Sequence, residues 1–306
     1  MALTSSVAPG ISPMTSDLRY THDLSVVVPV FNEEEAIKGA IDDVKNSLKG
    51  LKDDFEIVAV NDGSTDGTGK ILHSIKGIKI IENSENKGYG FCLKRAIRES
   101  NSDYIIIIDG DGTYPADKIP ELAGKSRQND MVVGARTGKY VKMPFFRKPA
   151  KWLLKHFAQY LTKTKIPDLN SGLRIFRREI AARYINLFPD GFSFTTTLTM
   201  ICLTNGLKVE YVPINYYERK GKSTIHPIRD FIGFSNLIFR LTIFFKPLNV
   251  FIPISAVLFL GGVAKLTRDF ILLNQFGLGG ALLILTAIQI AFLGILAELV
   301  IKRTSV

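Results

Sequence analysis

The chain has 306 residues, 46% of them apolar and 22% charged, which is enough for one large folded domain and a smaller second unit. Its net charge of +10, from 39 basic and 29 acidic residues, suits an anionic partner such as a nucleotide, a nucleic acid or an anionic membrane. The two cysteines, Cys92 and Cys202, form no C-x-x-C pair, and the four histidines lack zinc-site spacing. This composition excludes a disulfide scaffold and the common zinc motifs, and favours reduced thiols in a cytosolic setting.

Residues 1–20 are rich in serine, threonine and proline and contain no apolar stretch. A secretory signal peptide needs an apolar core, so this segment is not predicted to be one. We expect a disordered N-terminal tail.

From residue 24 onward, strand and helix patterns alternate with a period of about 25 residues. Apolar, β-branched runs predict strands at residues 24–30, 55–60, 78–81, 105–108 and 131–134. The first helix is expected to begin at Asn32, because the sequence N-E-E-E places Glu35 at capping-box spacing. The alternation predicts an α/β fold of three layers, with a mostly parallel central sheet and right-handed crossovers.

The strand at residues 105–108 is the most informative element of the chain. Four consecutive isoleucines predict a strand buried on both faces, and Asp109-Gly110-Asp111 follows directly. Open α/β sheets bind ligands at the carboxyl ends of their strands. Two carboxylates so close together need a compensating cation, and hard oxygen ligands suit Mg²⁺ or Mn²⁺. Gly110 leaves room for a ligand to approach closely.

Two neighbouring strand ends carry further polar and aromatic residues. Pro29, Phe31 and Glu33 close the first strand, and Asp62 and Ser64 follow the second. Taken separately, these segments are a helix start and a turn. On a parallel sheet their strand ends share one edge, so together they would supply an aromatic wall and carboxylate acceptors for a base and a ribose.

The segment from Lys87 and Gly88 to Gly90 has part of a dinucleotide-binding fingerprint. Position 93 is leucine, so the fingerprint is incomplete, and no Walker A sequence occurs. We therefore exclude NAD binding.

The chain becomes basic and aromatic between residues 139 and 165, and two further strands are predicted at 175–176 and 207–214. Residues 219–223 form a basic, glycine-containing loop, and residues 226–246 mix basic and aromatic side chains in the manner of an amphipathic helix at a membrane surface. The expected boundaries are a tail at 1–20, a catalytic domain at 21–225, a juxtamembrane segment at 226–246 and a membrane hairpin at 247–306.

Two uncharged runs, residues 247–264 and 270–297, are each long enough to cross a bilayer. The alternative is a pair of buried core helices, which such lengths disfavour. Two spans return the chain to its starting side. Lys246 and Arg240 precede the hairpin, while Lys265 and Arg268 lie between the runs, partly offset by Asp269. The positive-inside rule favours a cytosolic catalytic domain.

The motifs VVVPVFNEEEAI, VNDGSTDGT, ENKGYG, IDGDGTYP, VVGAR and DLNSGLRIFRRE, and the loop at 219–223, occur in the order found in family 2 glycosyltransferases. Residues 24–223 resemble that family, which has the GT-A (Rossmann-like) fold. With two C-terminal spans, the chain is most similar to the polyprenyl-phosphate glycosyltransferases of the dolichol-phosphate mannose synthase branch.

This resemblance implies a membrane-bound, inverting enzyme that moves a sugar from a GDP- or UDP-sugar to a dolichyl or undecaprenyl phosphate. It implies that Asp109 and Asp111 hold Mg²⁺ or Mn²⁺, with Arg136 and Arg219 as further catalytic residues that meet phosphates. The residues expected to bind the donor are Pro29, Phe31, Glu33, Asp62, Ser64, Lys87, Gly88, Gly110, Lys222 and Ser223. The implied partners are the nucleotide sugar, the lipid phosphate and the bilayer, without nucleic acid, and a homo-oligomer is possible.

Two positions leave questions open. Many relatives have a glutamine metal ligand where this chain has Thr113, a weaker ligand, so the third protein ligand is in doubt. Asp168 is a candidate general base if the acceptor is a hydroxyl. If the acceptor is a phosphate, Asp168 is expected to hold the turn of Ser171, Gly172 and Arg174 instead.

Two other functions remain as alternatives. One is transfer to a saccharide hydroxyl in cell-surface glycan synthesis, although the chain lacks the Q-x-x-R-W motif of processive synthases. The other is a non-catalytic, membrane-anchored subunit that binds nucleotide sugars, which the intact D-x-D sequence and the arginines disfavour.

Overall fold

The computed structural model describes residues 22–139, 155–156, 158–191, 193–218, 240, 243–244 and 246–304. Their strands are β1 (His22–Val30), β2 (Phe55–Asn61), β3 (Lys79–Glu82), β4 (Ser102–Ile107), β5 (Met131–Ala135), β6 (Arg174–Arg177) and β7 (Val209–Pro213). The α-helices with defined bounds are α1 (Ile37–Leu48), α2 (Thr68–Ser74), α3 (Tyr89–Glu99), α4 (Ile119–Ser126), α5 (Arg178–Arg183), α6 (Phe194–Thr204), α7 (Leu248–Leu273) and α8 (Leu278–Thr304).

All seven strands form one sheet in the order β3-β2-β1-β4-β6-β5-β7. Every neighbouring pair is parallel except the two pairs of β6, which runs antiparallel to both β4 and β5. The prediction of a mostly parallel α/β sheet is confirmed. Because β6 is reversed, the residues that precede it lie at the edge where β4 and β5 end.

The isoleucines of β4 are buried on both faces of the sheet. Successive side chains of a strand point to opposite faces. Ile106 packs in one apolar cluster with residues of α1 and α4, whereas Ile105 and Ile107 pack in a second cluster with residues of α3, α5 and α6. All three isoleucines are fully buried. The predicted three-layer arrangement is therefore confirmed.

The start of α1 differs from the prediction. The helix begins at Ile37, its N-cap is Ala36, and no side chain caps it. Asn32 instead has a left-handed backbone (φ 53°), and its Oδ1 accepts a hydrogen bond of 2.8 Å from the backbone N–H of Thr65. The capping box predicted at Asn32 is wrong, because the asparagine side chain holds the neighbouring loop rather than its own helix.

Helices α7 and α8 form a C-terminal hairpin joined by residues 274–277. Both are long and apolar enough to cross a membrane, with mean hydropathies of 1.9 and 2.3. Only 6% and 17% of their apolar windows are buried, whereas a core helix of this length would be mostly buried. The predicted pair of long apolar helices is confirmed.

Close contact between α7 and α8 depends on glycine. A Cβ added at Gly262 would lie 2.8 Å from the Cγ1 of Ile284, and one added at Gly280 would lie 2.5 Å from the Cγ of Leu266. Small residues allow two apolar helices to approach closely in this way.

Several predictions fall on residues that the structure does not describe. These are the tail at 1–20, nearly all of the amphipathic segment at 226–246, and three of the candidate site residues: Arg219, Lys222 and Ser223.

Candidate active site

The strand ends gather most of the predicted site residues at one edge of the sheet. In the register of β1, Val30 pairs with Asn61 of β2 and Val27 pairs with Ile107 of β4. The residues that follow these strands therefore meet at one edge. They include the predicted Phe31, Glu33, Asp62, Asp109 and Asp111, whereas Pro29 lies within β1, paired with Val60.

Asp111 is held by the turn that follows it. Its Oδ1 accepts hydrogen bonds from the backbone N–H of Thr113, at 3.1 Å, and from the Thr113 hydroxyl, at 2.7 Å. The threonine is fully buried, and Gly112 between them has the positive φ of 69° that this turn requires. Thr113 therefore holds the Asp111 carboxylate in its orientation. Its role as a metal ligand stays a prediction.

Asp109 lies between a tyrosine and a glycine. The Tyr89 hydroxyl donates a hydrogen bond of 3.0 Å to Oδ1 of Asp109. On the other side, a Cβ added at Gly172 would lie only 2.5 Å from Oδ2. Burial, with the nearby charge of Asp109, raises the pKa of Tyr89 well above its ordinary value, so the hydroxyl stays a donor at neutral pH.

The donors at this edge fit a divalent cation that shares its coordination with a ligand. Among the described residues, no cluster of three or more His, Cys, Asp or Glu side chains could enclose a metal alone. Mg²⁺ commonly binds through one or two carboxylates and completes its shell with substrate phosphates and water. Asp109 and Asp111 supply that number of carboxylates.

Asp62 has a structural contact that the sequence did not predict. Its Oδ1 accepts hydrogen bonds from the Asn83 amide, at 2.8 Å, and from the backbone N–H of Lys87, at 2.9 Å. Its Oδ2 accepts one of 2.8 Å from the backbone N–H of Gly88. The side chain is 3% exposed. Asp62 thus fixes the loop before α3, and its predicted contact with a nucleoside stays a prediction.

The glycines of the Lys87–Gly90 loop have a steric explanation. Gly88 has a φ of 103°, and a Cβ there would lie 2.6 Å from the carbonyl oxygen of Asp190. A Cβ at Gly90 would lie 2.1 Å from the carbonyl oxygen of Pro189. The partial dinucleotide-like pattern reflects this close backbone contact, and Lys87 itself lies 3.3 Å from the carboxylate of Glu85.

The other predicted donor-binding residues differ in exposure. Phe31 is 41% exposed at the sheet edge, which suits an aromatic surface for a base. Glu33 is buried, and its backbone N–H donates to the Thr68 hydroxyl at 2.9 Å. The Ser64 hydroxyl accepts a hydrogen bond of 3.0 Å from the backbone N–H of Asn32. Gly110 is tightly enclosed, since a Cβ there would lie 3.1 Å from a carbon of Ile37.

Arg136 follows β5 and forms a buried ion pair with Asp168. Its Nε and Nη2 donate to Oδ2 and Oδ1 of Asp168 at 2.7 and 2.8 Å, and its backbone N–H donates to Oδ2 at 3.1 Å. The backbone N–H of Asn170 donates to Oδ1 at 3.3 Å. The two charged side chains are 7% and 9% exposed. The pKa of Arg136 is raised despite the opposing effect of burial, because of the hydrogen bonds that it donates to Asp168 and the negative charge nearby.

Aromatic rings connect Arg136 with the carboxylate site. The guanidinium lies 5.2 Å from the centre of the Tyr216 ring, which packs edge-on against Tyr114 with centroids 5.1 Å apart. The Tyr114 hydroxyl accepts a hydrogen bond of 2.6 Å from the backbone N–H of Gly172, the glycine that contacts Asp109. The predicted cation and the predicted metal ligands therefore belong to one packed structure.

The sequence did not identify Tyr89, Tyr114 or Tyr216 as site residues. Tyr89 and Tyr114 occur in the motifs ENKGYG and IDGDGTYP, but the sequence alone does not show their contacts with Asp109 and Gly172. Arg174 was noted only as part of a turn. It is fully buried and donates to the carbonyls of Ser171 and Thr195 and to the Thr199 hydroxyl. Only the three-dimensional structure brings these partners together.

Comparison with known proteins agrees with this arrangement. The family model described as glycosyl transferase family 2 matches residues 25–185, which is more than half of the chain. A second model, described as the GtrB C-terminal hairpin, matches residues 246–302 and so covers α7 and most of α8.

Similar curated proteins extend over most of the chain. The low-salt glycan biosynthesis hexosyltransferase Agl6 of Haloferax volcanii is 29% identical over 92% of this chain and 70% of its own length. The dolichyl-phosphate beta-glucosyltransferase of Dictyostelium discoideum is 27% identical over 71% of this chain and 73% of its own length. The dodecaprenyl-phosphate galacturonate synthase of Rhizobium johnstonii is 24% identical, covering 94% and 90%.

Among solved structures, glucosyl-3-phosphoglycerate synthase from Mycobacterium tuberculosis, crystallised with Mn²⁺, UDP and glucosyl-3-phosphoglycerate, aligns with a TM-score of 0.56 at 18% identity. The alignment covers 72% of this chain and 79% of that one. This likeness bears on the fold and confirms the predicted GT-A type. The family match over more than half of the chain shows that the chain belongs to glycosyltransferase family 2 and is a glycosyltransferase.

Proposed function

We propose that the protein transfers a hexose from a nucleoside diphosphate sugar to a polyprenyl phosphate, with inversion at the sugar C1. Support comes from relatives named for dolichyl, undecaprenyl and dodecaprenyl phosphates, and from the match of the C-terminal helices to a hairpin model. The relatives carry different sugars, so the sugar and the base are left open in this proposal.

The donor side of the proposed site is built on Asp109 and Asp111. These carboxylates would hold Mg²⁺ or Mn²⁺, which would neutralise charge on the departing nucleoside diphosphate. The exposed ring of Phe31 would stack on the base, with Glu33, Asp62 and Ser64 nearby in the loops that shape the pocket. Arg219 and Lys222 are proposed to add positive charge at the diphosphate, and Ser223 a hydrogen bond.

The observation that supports the choice of acceptor is the set of hydrogen bonds accepted by the Asp168 carboxylate. An ionised carboxylate has about four lone-pair positions. At Asp168 they are engaged by three N–H groups of Arg136 and by the backbone N–H of Asn170. A carboxylate bound in this way is not available to take a proton from an acceptor, which argues against Asp168 as a general base.

A phosphate acceptor does not need that base. The second pKa of a phosphomonoester is about 6, so a lipid phosphate is already anionic near neutral pH and can attack C1 directly. Its difficulty is approach to another phosphate, which calls for fixed positive charge. Arg136 supplies such a charge. Its hydrogen bonds to the Asp168 carboxylate use Nε and Nη2 and do not involve Nη1. This favours the lipid phosphate over a saccharide hydroxyl.

The proposal includes the placement of the chain. Helices α7 and α8 would span the bilayer, and the catalytic domain, residues 21–225, would face the cytosol, with residues 226–246 at the membrane surface. A soluble donor would then enter from water while the lipid phosphate stays at the interface.

Purified full-length protein with radiolabelled GDP- or UDP-sugars, Mn²⁺ or Mg²⁺, and dolichyl or undecaprenyl phosphate tests the proposal. A metal-dependent product that partitions into organic solvent is expected. Label found only on an added saccharide would refute the lipid acceptor. Lack of turnover with every donor and acceptor, in protein that binds a nucleotide sugar, would favour the non-catalytic subunit instead.

A further inference from the structure

The carboxylate of Asp109 is restrained on both sides by residues outside its own loop. Tyr89, the first residue of α3, donates to Oδ1 at 3.0 Å. Gly172, which precedes β6, lies against Oδ2 so closely that a Cβ would be 2.5 Å away. A carboxylate restrained at one oxygen and enclosed at the other has little freedom to rotate about its Cβ–Cγ bond.

The tyrosine is itself held firmly. Its neighbour Gly88 donates its backbone N–H to Asp62 at 2.8 Å, and the backbone N–H of Phe91 donates to the carbonyl of Asp190 at 3.0 Å. The ring packs against the apolar cluster on the α3 face of the sheet. The backbone on either side of Tyr89 is therefore held by Asp62 at the end of β2 and by Asp190 in the loop before α6.

Partners of this kind matter for metal sites. A hydrogen bond to a liganding carboxylate fixes its orientation, and removal of such a partner typically lowers metal affinity or activity by about 10- to 100-fold. The alternative is that the Tyr89 ring serves only for packing, in which case its hydroxyl has no influence on the metal.

We propose that Tyr89 is a positioning residue for Asp109: its hydroxyl holds Oδ1 so that the carboxylate presents its remaining lone pairs to the divalent cation. The inference rests on the proposed function, since it assumes that Asp109 binds the metal. It adds a residue from α3 to a site otherwise built from the β4 loop.

The test compares Tyr89→Phe, which removes one oxygen atom and keeps the ring, with the wild-type full chain in detergent. Mn²⁺ binding is measured by electron paramagnetic resonance, with Mn²⁺ alone as the probe, and the melting temperature is recorded. We expect the dissociation constant for Mn²⁺ to rise about 10-fold. In turnover assays the KM for Mn²⁺ should rise by the same factor while the KM for the lipid acceptor stays unchanged.

Tyr184→Phe is the matched control. The Tyr184 hydroxyl also donates to a side-chain oxygen, that of Asn205 at 3.4 Å. Tyr184 follows the end of β6, which pairs with the start of β4, so it lies near the sheet edge opposite to Asp109. This variant should bind Mn²⁺ like the wild type.

Gly172→Ala provides a second, independent variant, because its methyl group would press on Oδ2 of Asp109. We expect weaker Mn²⁺ binding here too. Wild-type Mn²⁺ affinity in Tyr89→Phe would overturn the inference and leave the proposed function intact. If the wild-type chain itself binds no Mn²⁺, the metal site fails and the inference fails with it.

Discussion

Asp168 and Arg136 form a two-pronged ion pair in which neither side chain is more than a tenth exposed. Such planar pairing fixes both the position and the rotation of a guanidinium. In the proposed mechanism the two residues have different tasks: Arg136 provides the positive charge, and Asp168 holds the guanidinium in its orientation.

Replacement of Asp168 by Asn tests this division. The amide keeps the shape of the carboxylate but loses the charge and one acceptor. We expect the KM for the polyprenyl phosphate to rise, with kcat/KM for that acceptor about 100-fold lower, since a misplacement of about 1 Å has effects of that size on catalysis. The shape of the pH–rate profile should stay as in the wild type, measured between pH 5 and 9.

A general base at Asp168 would give the opposite result, with kcat reduced and the acidic limb of the profile lost. Asp130→Asn is the matched control. Asp130 pairs with Arg177 at 3.3 Å, at the start of β5 and thus at the other edge of the sheet. Its substitution should leave the acceptor KM unchanged.

Asp111→Asn should abolish metal-dependent turnover in folded protein. The amide removes a negative ligand, while the hydrogen bond from Thr113 at 2.7 Å can still form with the remaining oxygen. The measurements are turnover against Mn²⁺ concentration and the melting temperature. Wild-type turnover would refute the metal assignment, and Asp43→Asn, an exposed residue of α1, serves as the control.

Asp62→Ala should lower stability as well as donor binding. It would remove the acceptor of the buried Asn83 amide and of the less buried backbone N–H groups of Lys87 and Gly88. A buried donor left without its acceptor costs about 1–3 kcal/mol. A loss of about 2 kcal/mol corresponds to a fall of about 4–8 °C in melting temperature for a domain of this size. If Asp62 only contacts the nucleoside, the melting temperature without ligand will match that of the wild type.

Gly262→Leu should separate α7 from α8, because even a Cβ at this position would lie 2.8 Å from Ile284. A Cβ added at the neighbouring Gly261 would have no atom within 4 Å, so Gly261→Leu is a control of identical composition. Thermal aggregation in detergent should begin at a lower temperature for the first variant alone. Equal behaviour of the two variants would contradict the helix contact.

The sheet was predictable because its signal is local. The isoleucine run of β4 predicts burial on both faces from the residues of that strand alone. The bounds of β5 and α4 likewise follow the apolar pattern within a residue or two. The start of α1 was missed for the opposite reason. Asn32 has the sequence context of an N-cap, but its side chain instead accepts a hydrogen bond from the backbone N–H of Thr65, which is distant in sequence.

The same distinction applies to the site. The position of Asp109 and Asp111 at the sheet edge was predictable, because they directly follow a buried strand. Their role as metal ligands stays a prediction. The contacts of Tyr89 with Asp109 and of Tyr216 with Arg136 join residues 20 and 80 positions apart, and a tyrosine within a motif gives no sign of its distant partner. The hydrogen bonds that occupy Asp168, on which the proposed choice of acceptor rests, become visible only in the structure.

The reversed strand β6 also has a consequence for how the protein folds. Within the described sheet, β4 and β5 do not pair with each other, and β6 joins them by pairing with both. Contacts between β4 and β6 close a loop of about 70 residues, and such long-range pairing forms late. Without β6 the described sheet has no link between β4 and β5, so the distance between Asp109 and Arg136 would not be fixed. The four residues of β6 thus set the spacing between the proposed metal ligands and the proposed acceptor cation.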